Sequence, residues 1–239
     1  MSNIDEFLNL VKDSDNIVFF GGAGVSTESG IPDFRGADGL YMSKYNGLSP
    51  EEIISHSFYL RHPDVFYEFY REKMLFPKAK PSTTHLALAK LEKMGKLKGV
   101  ITQNIDGLHQ MAGSKNVVEL HGSVHRNYCT KCHKFYDMEY IFKSKDIPKC
   151  SCGGVIKPDV VLYEESLNED DIYKAVDLIR NADVLIIGGT SLGVYPAAGF
   201  VNEYRGNKMV LINKSKTPYD SKADLLINDA LGEAFKHLL

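Results

Sequence analysis

Short apolar runs alternate with helical stretches along this chain, and this alternation constrains its fold more than any other feature. Most of the runs lack the every-second-residue pattern of a half-exposed strand, as is typical of strands that helices cover on both faces. The runs lie at residues 17–20, 100–101, 117–120, 159–162, 184–187, 209–212 and 225–227, and the helical stretches at 4–12, 84–94, 169–181 and 197–204. We expect Thr83 or Thr84 to cap the second helix, and Asn168, with Asp171, to cap the third. The order predicts an α/β fold with a parallel, doubly wound sheet.

Two segments interrupt the alternation. Residues 37–82 hold many aromatic and charged side chains but no strand-like run, so we expect helices and loops there. Residues 123–158 carry all four cysteines and form a second insertion. If the two insertions pack together, they form a small domain beside the sheet, and the cleft between the domains is then the natural ligand site.

The composition favours an ordinary globular protein that works in a reducing compartment. The chain has 239 residues, of which 44% are hydrophobic and 25% charged, and its formal net charge is −3. Such a chain has no general positive field to attract nucleic acid or an anionic membrane. It shows no secretory signal and no stretch long enough to span a membrane, so we expect a cytoplasmic protein. Four cysteines in that compartment favour a metal site over disulfides.

A glycine-rich turn follows the first apolar run. Gly22 and Gly24 flank Ala23 directly after a predicted strand, where glycines let the backbone approach a pyrophosphate. The third glycine of the usual dinucleotide motif is replaced by Thr27, and no acidic residue ends a second strand at the usual distance. The turn alone leaves nucleotide binding and a merely tight connection equally open.

The cysteines form two close pairs, Cys129 with Cys132 and Cys150 with Cys152, separated by seventeen residues. A haem-attachment motif would require export, a thioredoxin-like pair would lack the second pair, and unrelated buried cysteines would not be paired. Two pairs can supply four thiolates to Zn²⁺ in a tetrahedron, and the short second pair is followed by two glycines that can relieve strain. We therefore predict a zinc ion that is structural, because four protein ligands leave no position for water.

His121 directly follows the apolar run at 117–120 and precedes Gly122. In open α/β sheets the carboxyl ends of strands are where ligands bind. A partly buried histidine with a satisfied hydrogen bond remains the alternative on these grounds alone.

Several motifs together resemble a known family. Residues 22–36, GAGVSTESGIPDFRG, are similar to the sirtuin signature, and TQNID at 102–106, HG at 121–122, the cysteine pairs, GTSL at 189–192 and Asn213 follow in order. The resemblance extends from about residue 17 to the C-terminus. It implies a Rossmann-like parallel-sheet large domain, residues 1–36, 83–122 and 159–239, with an inserted small domain. That small domain would comprise a helical module, 37–82, and a zinc-binding module, 123–158.

The resemblance also implies an activity, NAD⁺-dependent protein lysine deacetylation. NAD⁺ would be consumed as a co-substrate: the acyl-lysine oxygen attacks C1′ of the ribose, nicotinamide leaves and an alkylimidate forms. His121 would then act as general base on the ribose hydroxyls, for which an imidazole suits neutral pH. The products would be lysine, nicotinamide and O-acyl-ADP-ribose.

The family's cofactor contacts carry over to matching positions of this sequence. Ala23, Thr27 and Arg35 would contact the phosphates and ribose. Asp33 and Phe34 would order a loop over the cofactor, with Phe34 shielding C1′ from water.

Further contacts come from the later motifs. Gln103 and Asn104 would hold the ribose and a water, while Ile105 and Asp106 would line the nicotinamide pocket, with Asp106 bonded to the carboxamide. The adenosine side and the backbone contacts would involve Gly22, Gly24, Gly189, Thr190, Ser191, Asn213, Lys214 and Ala230.

The resemblance further implies that an acetylated lysine peptide pairs as an added strand, against Val160, Val161, Leu162, Tyr163 and Val194. Where many relatives carry FGE, this chain has Tyr163-Glu164-Glu165, and we hypothesise that Glu164 favours basic residues near the acyl-lysine.

Relatives that remove succinyl or malonyl groups carry a tyrosine and an arginine three residues apart on a helix. Here Tyr67 is followed at that distance by Tyr70, and Arg71 is rotated by roughly 100°. We therefore expect acetyl or another uncharged acyl group.

Three alternative functions have weaker support in the sequence: mono-ADP-ribosyl transfer to a protein, a non-enzymatic zinc module for nucleic acid, and an ordinary NAD dehydrogenase. The intact substrate segments disfavour ADP-ribosyl transfer as the main activity. The near-neutral net charge disfavours a nucleic-acid module, and the missing third glycine and ribose-binding acid disfavour a dehydrogenase. The expected partners are acetylated lysine peptides or proteins, with neither nucleic acid nor membrane, and a monomer is favoured.

Overall fold

The computed structural model describes residues 2–36 and 39–239, so Ala37 and Asp38, which begin the predicted helical insertion, lie outside it. Within the described residues two β-sheets form, one of six strands and one of three. The strands are β1 Ile17–Gly21, β2 Leu97–Thr102, β3 Val117–Glu119, β4 Gly122–Cys129, β5 Phe135–Tyr136, β6 Ile156–Val160, β7 Val184–Gly188, β8 Met209–Ile212 and β9 Leu225–Ile227.

The large sheet is parallel, as the sequence predicts, and its strands lie in the order β3-β2-β1-β7-β8-β9. The chain builds outward from β1 in one direction and later from β7 in the other. A crevice therefore opens where the carboxyl ends of β1 and β7 lie side by side, with Gly21 opposite Gly188. Ligands of open α/β sheets bind in such a crevice.

Helices cover both faces of this sheet. The α-helices of the described residues, including those of the small domain, are α1 Asn3–Asp13, α2 Pro50–Ile53, α3 His56–Arg61, α4 Pro63–Lys73, α5 Thr83–Lys93, α6 Leu108–Ala112, α7 Met138–Lys143, α8 Glu169–Asn181 and α9 Leu231–Phe235. On one face Phe7, Leu88 and Phe235 pack against Phe19, and on the other α8 and a 3₁₀ helix cover the opposite side chains of β1. All five residues of β1 are buried, which explains why the strand lacks alternation.

One of the two predicted helix caps is confirmed and the other is wrong. Asn168 caps α8, because its Oδ1 accepts from the backbone N–H of Asp171 at 3.1 Å, as expected. The prediction of Thr83 or Thr84 as the cap of α5 was wrong: the N-cap is Ser82, whose backbone N–H donates to Nδ1 of His85 at 3.1 Å. The stretch predicted at 197–204 is a 3₁₀ helix, Ala197–Glu203.

The predicted strand at 159–162 does not belong to the large sheet. Residues Ile156–Val160 form β6, which pairs antiparallel with β4 in the three-stranded sheet. Ile156, Pro158 and Val160 are buried while Lys157 and Asp159 are not, so this strand does alternate. The predicted domain boundary at residue 159 therefore falls inside β6.

The two insertions share one core. Phe66 and Tyr67 of α4 pack in the same cluster as Ile141 of α7 and Ile156 of β6, and the Tyr67 hydroxyl donates to the Ile156 carbonyl at 2.6 Å. This small domain joins the large one where β3 runs through His121 into β4. At that junction Arg126 binds Glu119 at 2.6 Å and Asp159 at 2.7 Å.

Among the described residues, no helix combines the length and the apolar character that a membrane crossing requires.

Two histidines are buried together below the glycine-rich turn. The rings of His85 and His109 lie 4.5 Å apart, and each residue is at most 1% exposed. Within the described part of the chain, Nε2 of His85 and both ring nitrogens of His109 have no hydrogen-bond partner. Burial lowers the pKa of His85 to about 4 and holds the pKa of His109 well below 6.5.

We expect acid to destabilise the fold through this pair. Because the unfolded chain binds protons at pH values where the buried rings stay neutral, stability is full above about pH 6.5 and falls below it. At pH 5.5 each buried histidine should lower the free energy of unfolding by on the order of 1 kcal/mol relative to pH 7.5. Urea denaturation at both pH values measures the stability that each protein loses between pH 7.5 and 5.5. This loss should be smaller by that amount in His109→Leu than in wild type, and it should equal the wild-type loss in the exposed-site control His237→Gln. Equal losses in all three proteins would contradict the assignment.

Candidate active site

A cavity of about 450 Å³ lies at the carboxyl ends of β1 and β7. Its walls come from the glycine-rich turn, from the loop after β7 and from the small-domain segment that follows β6. Of the predicted cofactor and substrate residues, all but Asp106 line it: Gly22, Ala23, Gly24, Thr27, Asp33, Phe34, Arg35, Gln103, Asn104, Ile105, His121, Val160, Val161, Leu162, Tyr163, Gly189, Thr190, Ser191, Val194, Asn213, Lys214 and Ala230.

Asp106 lines a smaller adjoining cavity of about 70 Å³, which shares Ala23, Phe34, Asn104 and Ile105 with the larger one. Its Oδ2 accepts from the Ser26 hydroxyl at 2.6 Å, and its Oδ1 accepts from the Leu108 backbone N–H at 2.9 Å. The carboxylate thus already anchors the turn that follows Gly24. A bond to a carboxamide would have to use its remaining lone pairs.

The glycines of the turn are required by backbone packing. Gly24 N–H donates to the carbonyl of Gly189 at 2.8 Å, and a Cβ on Gly24 would lie 2.7 Å from the Cα of Gly189. Gly189 itself has φ +60°, a conformation that favours glycine. Short 3₁₀ turns rather than an α-helix follow, at Ala23–Val25 and Thr27–Ser29. The floor of the cavity is therefore bare backbone.

Asn104 and Gln103 tie the end of β2 to this floor. Asn104 is buried and its Nδ2 donates to the Gly22 carbonyl at 3.0 Å and to the Ser26 hydroxyl at 3.1 Å. Gln103 Nε2 donates to Thr190 Oγ1 at 3.1 Å. Ser26 was not among the predicted site residues, and its place in the signature between Gly24 and Thr27 is the signal that could have indicated it.

His121 is held in a defined tautomer. Its Nδ1 lies 2.9 Å from the carbonyl oxygen of Gln103. Because a carbonyl only accepts, Nδ1 carries the hydrogen and Nε2 of the neutral ring keeps a free lone pair. Burial lowers the pKa of His121 below its ordinary 6.5 and outweighs the hydrogen bond that Nδ1–H donates to the Gln103 carbonyl, which raises the pKa. The ring is thus a neutral base in the wall of the cavity.

The segment after β6 is fixed by its own backbone. Val161 N–H donates to the carbonyl of His121 at 3.0 Å, and Tyr163 N–H donates to the carbonyl of Ile54 at 3.1 Å. Leu162 N–H donates to the Glu165 carboxylate at 2.9 Å. Since these three N–H groups are already paired, an added substrate strand would have to use other backbone groups of the segment.

Glu165 was not predicted as a site residue, yet it holds this segment in place. Its carboxylate also lies 2.7 Å from Nδ1 of His56 and 3.2 Å from Nζ of Lys157. Burial alone would raise the pKa of Glu165, but the bonds from Leu162 and His56 and the charge of Lys157 lower it overall.

Glu164 adopts a backbone conformation that usually requires glycine, with φ +75°. Its carboxylate accepts from the backbone N–H of Ser57 at 2.8 Å and from the Ser57 hydroxyl at 3.0 Å, at the start of α3. These bonds compensate for the strain and place the negative charge at a helix N-terminus. A preference for basic peptides created by Glu164 stays a prediction.

The arrangement of Tyr67, Tyr70 and Arg71 agrees with an uncharged acyl group. Both tyrosine side chains are fully buried in the small-domain core. Arg71 points elsewhere, as expected, because its guanidinium donates to the carbonyls of Lys145 and Asp146 and to the Ser144 hydroxyl. None of the three residues lines the cavity.

The four cysteines converge at the far side of the small domain. Their sulfur atoms all lie within 4.8 Å of one another, with Cys129 and Cys152 3.4 Å apart and Cys132 and Cys150 3.5 Å apart. A tetrahedral ion with Zn–S bonds of about 2.3 Å places its sulfurs about 3.8 Å apart, so the cluster fits zinc with little adjustment. The backbone N–H of Cys152 and the Tyr136 hydroxyl lower the pKa of Cys150 to about 5, which favours a thiolate.

Comparison with known proteins gives a consistent result. A model of the Sir2 family matches residues 22–196. An "NAD-dependent protein deacetylase" of Clostridium perfringens (strain 13 / Type A) is 63% identical over 233 residues, covering 96% of each chain. Another of the same description, from Clostridium tetani (strain Massachusetts / E88), is 64% identical over 226 residues, covering 93% of this chain and 92% of the relative.

Solved structures agree over the whole chain. One described as Sir2 with a p53 peptide and NAD⁺ has a TM-score of 0.87 and 41% identity, covering 100% of this chain and 97% of the other. A second, of a Sir2 variant with a deacetylated p53 peptide and 3′-O-acetyl-ADP-ribose, has a TM-score of 0.89 and 42% identity, covering 98% and 96%.

We expect the small domain to depend on zinc. Cys132→Ser should lower the zinc content from about one ion per chain to a small fraction, since three thiolates bind far more weakly than four. A loss of roughly 3 kcal/mol would lower Tm by about 6–12 °C in a chain of this size. Elemental analysis and thermal unfolding measure both effects, with Ser151→Ala as the control that leaves every ligand in place. Full zinc content in Cys132→Ser would contradict the site.

Proposed function

The chain belongs to the Sir2 family, and from that premise we propose that it is an NAD⁺-dependent protein lysine deacetylase. The acetyl group passes from lysine to ADP-ribose, nicotinamide is released and NAD⁺ is consumed. The observation that carries the proposal is the neutral His121 ring, whose Nδ1 is held by Gln103 in a cavity shared by the glycine-rich turn and the small-domain segment.

NAD⁺ supplies the reactive ribose carbon, and the chain binds and orients it. The bare backbone at Gly22–Gly24 allows a pyrophosphate to approach closely, and the Arg35 guanidinium supplies positive charge beside it. Gln103 and Asn104 line the cavity at the end of β2, where their side chains would contact the ribose. Asp106, Ser26 and Asn104 keep the turn in place through their mutual hydrogen bonds.

His121 removes a proton from a ribose hydroxyl during acyl transfer. Its Nδ1–H bond to Gln103 orients the ring, so that Nε2 is the atom that accepts the proton. Once protonated, the imidazolium is stabilised by the same carbonyl, because a charged donor strengthens a hydrogen bond.

The loop after the glycine-rich turn excludes water from the reacting atoms. Backbone bonds from Leu40 to Asp33, 2.8 Å, and from Tyr41 to Phe34, 2.9 Å, close the loop on itself. The Phe34 ring packs against Tyr41 with centroids 5.3 Å apart and lines both cavities. An apolar ring in this position shields the cofactor.

The acyl group that the site takes is acetyl or another uncharged group. The small-domain part of the wall contributes apolar side chains from Ile54, Met74, Val160 and Leu162. Arg71, the cation that could bind an acyl carboxylate, donates its hydrogen bonds elsewhere.

Zinc takes no part in these steps. The four cysteines do not line the cavity, and four thiolates leave no open position for water or substrate. Its contribution is to hold the module that carries β6 and the segment after it. Acetylated proteins of the cytoplasm are the proposed substrates, and the enzyme works as a monomer.

We expect purified protein to convert an acetyl-lysine peptide to deacetylated peptide, nicotinamide and O-acetyl-ADP-ribose, only with NAD⁺. His121→Ala should lower kcat by about 10²–10⁴-fold, the usual contribution of a general base. Mass spectrometry of an acetyl and succinyl peptide pair measures the reaction and its selectivity. Faster desuccinylation would contradict the acyl preference. Labelled NAD⁺ that leaves ADP-ribose on protein without deacetylation would favour mono-ADP-ribosyl transfer instead.

The pH dependence should report His121. Because burial lowers the pKa of His121 below 6.5, the neutral ring should predominate at pH 7, and kcat/KM for the peptide should change little between about pH 7 and 8. The acid limb should have its midpoint below 6.5. Samples returned from each pH to 7.5 must regain full activity, which separates titration from unfolding. A midpoint at or above 7 would show that another group limits the reaction.

A further inference from the structure

The hydroxyl of Tyr163 connects two walls of the cavity. The ring belongs to the segment after β6, but its oxygen lies 3.0 Å from the hydroxyl oxygen of Tyr41 and accepts a hydrogen bond from Nη2 of Arg35 at 3.2 Å. Arg35 and Tyr163 are separated by 128 residues along the chain. A phenylalanine at position 163 could fill the same space but could not make either bond.

The Arg35 guanidinium is held from three directions. Besides the Tyr163 hydroxyl, it lies 3.4 Å from the Glu51 carboxylate of α2, and it stacks over the Tyr41 ring at 5.0 Å from the centroid. The Arg35 side chain is 39% exposed and the Glu51 side chain 48%, so this ion pair is weakened by solvent. The Tyr41 hydroxyl is more protected, and burial together with its bond to Tyr163 raises its pKa far above 10. The Tyr41 hydroxyl therefore stays uncharged at neutral pH and keeps its hydrogen bond to Tyr163.

Holding a guanidinium in place has a consequence for anion binding. A free arginine loses much rotamer entropy when it engages a phosphate, and part of that loss is avoided when hydrogen bonds and stacking orient it beforehand. Arg35 lines the cavity together with Gly22, Ala23 and Gly24 of the glycine-rich turn. Its orientation thus bears on the affinity for a pyrophosphate.

We propose that Tyr163 is a positioning residue for NAD⁺, acting through Arg35. The inference rests on the proposed function, because it assumes that the cavity binds NAD⁺. It assigns the hydroxyl and the ring separate tasks: the ring forms part of the cavity wall, and the hydroxyl orients the Arg35 guanidinium. Cofactor affinity then depends on a side chain of the substrate wall.

The test compares Tyr163→Phe with wild type and with Tyr173→Phe, an exposed tyrosine of α8 that lies outside the cavity. Binding of ADP-ribose is measured by calorimetry, since this ligand carries the pyrophosphate and needs no catalysis. Tyr163→Phe should weaken binding about three- to tenfold and raise the KM for NAD⁺ similarly, while kcat and the peptide KM change less than about twofold. Tyr173→Phe should match wild type.

A double-mutant cycle separates positioning from a general structural effect. If Tyr163 acts through Arg35, then adding Tyr163→Phe to Arg35→Met should weaken ADP-ribose binding no further. Additive effects, or unchanged ADP-ribose affinity in Tyr163→Phe, would overturn the inference. Tight ADP-ribose binding by a wild-type protein that deacetylates nothing would instead contradict the proposed function alone.

Discussion

The close approach of two backbone turns determines where everything else in the site lies. The loop after β1 and the loop after β7 contact each other through main-chain atoms: Gly22 N–H donates to the Gly188 carbonyl at 3.2 Å, and Gly24 N–H to the Gly189 carbonyl at 2.8 Å. A Cβ on Gly22 would lie 2.8 Å from the Cβ of Thr190. With no side chains between them, the loops form a floor at the crevice of the sheet, and the polar groups at the end of β2 can reach it.

The opposite wall depends on the integrity of the small domain. The segment that carries Val161 to Tyr163 follows β6, and β6 is paired with the strand that supplies Cys129. Cys129 and Cys150 are buried in the same cluster as Phe66 and Ile156. Metal ligation and aromatic packing therefore stabilise one unit, and a change at the cysteines would be transmitted to the substrate wall through the β4–β6 pairing.

Much of the architecture follows from local patterns, whereas the contacts that refine the site do not. Buried parallel strands and the Asn168 cap are recoverable because they depend on neighbouring residues. The strand predicted at 159–162 was misassigned because a short apolar run does not show which sheet it joins: the strand begins at Ile156 and pairs antiparallel with β4. Ser82 was missed as a cap because its partner is a histidine. The pairing of Arg35 with Tyr163 spans 128 residues, and nothing in the spacing of the sequence predicts it.

His121 lies at the junction between the two domains, beside the contacts that connect them. β3 leads through His121 into β4, and Val161 N–H donates to the His121 carbonyl. Arg126 forms ion pairs with Glu119 and Asp159 at the same junction. In any rotation of one domain against the other about these crossings, an atom moves in proportion to its distance from the axis. In such a rotation the imidazole, which lies beside these crossings, would move less than the cavity residues that lie farther from them.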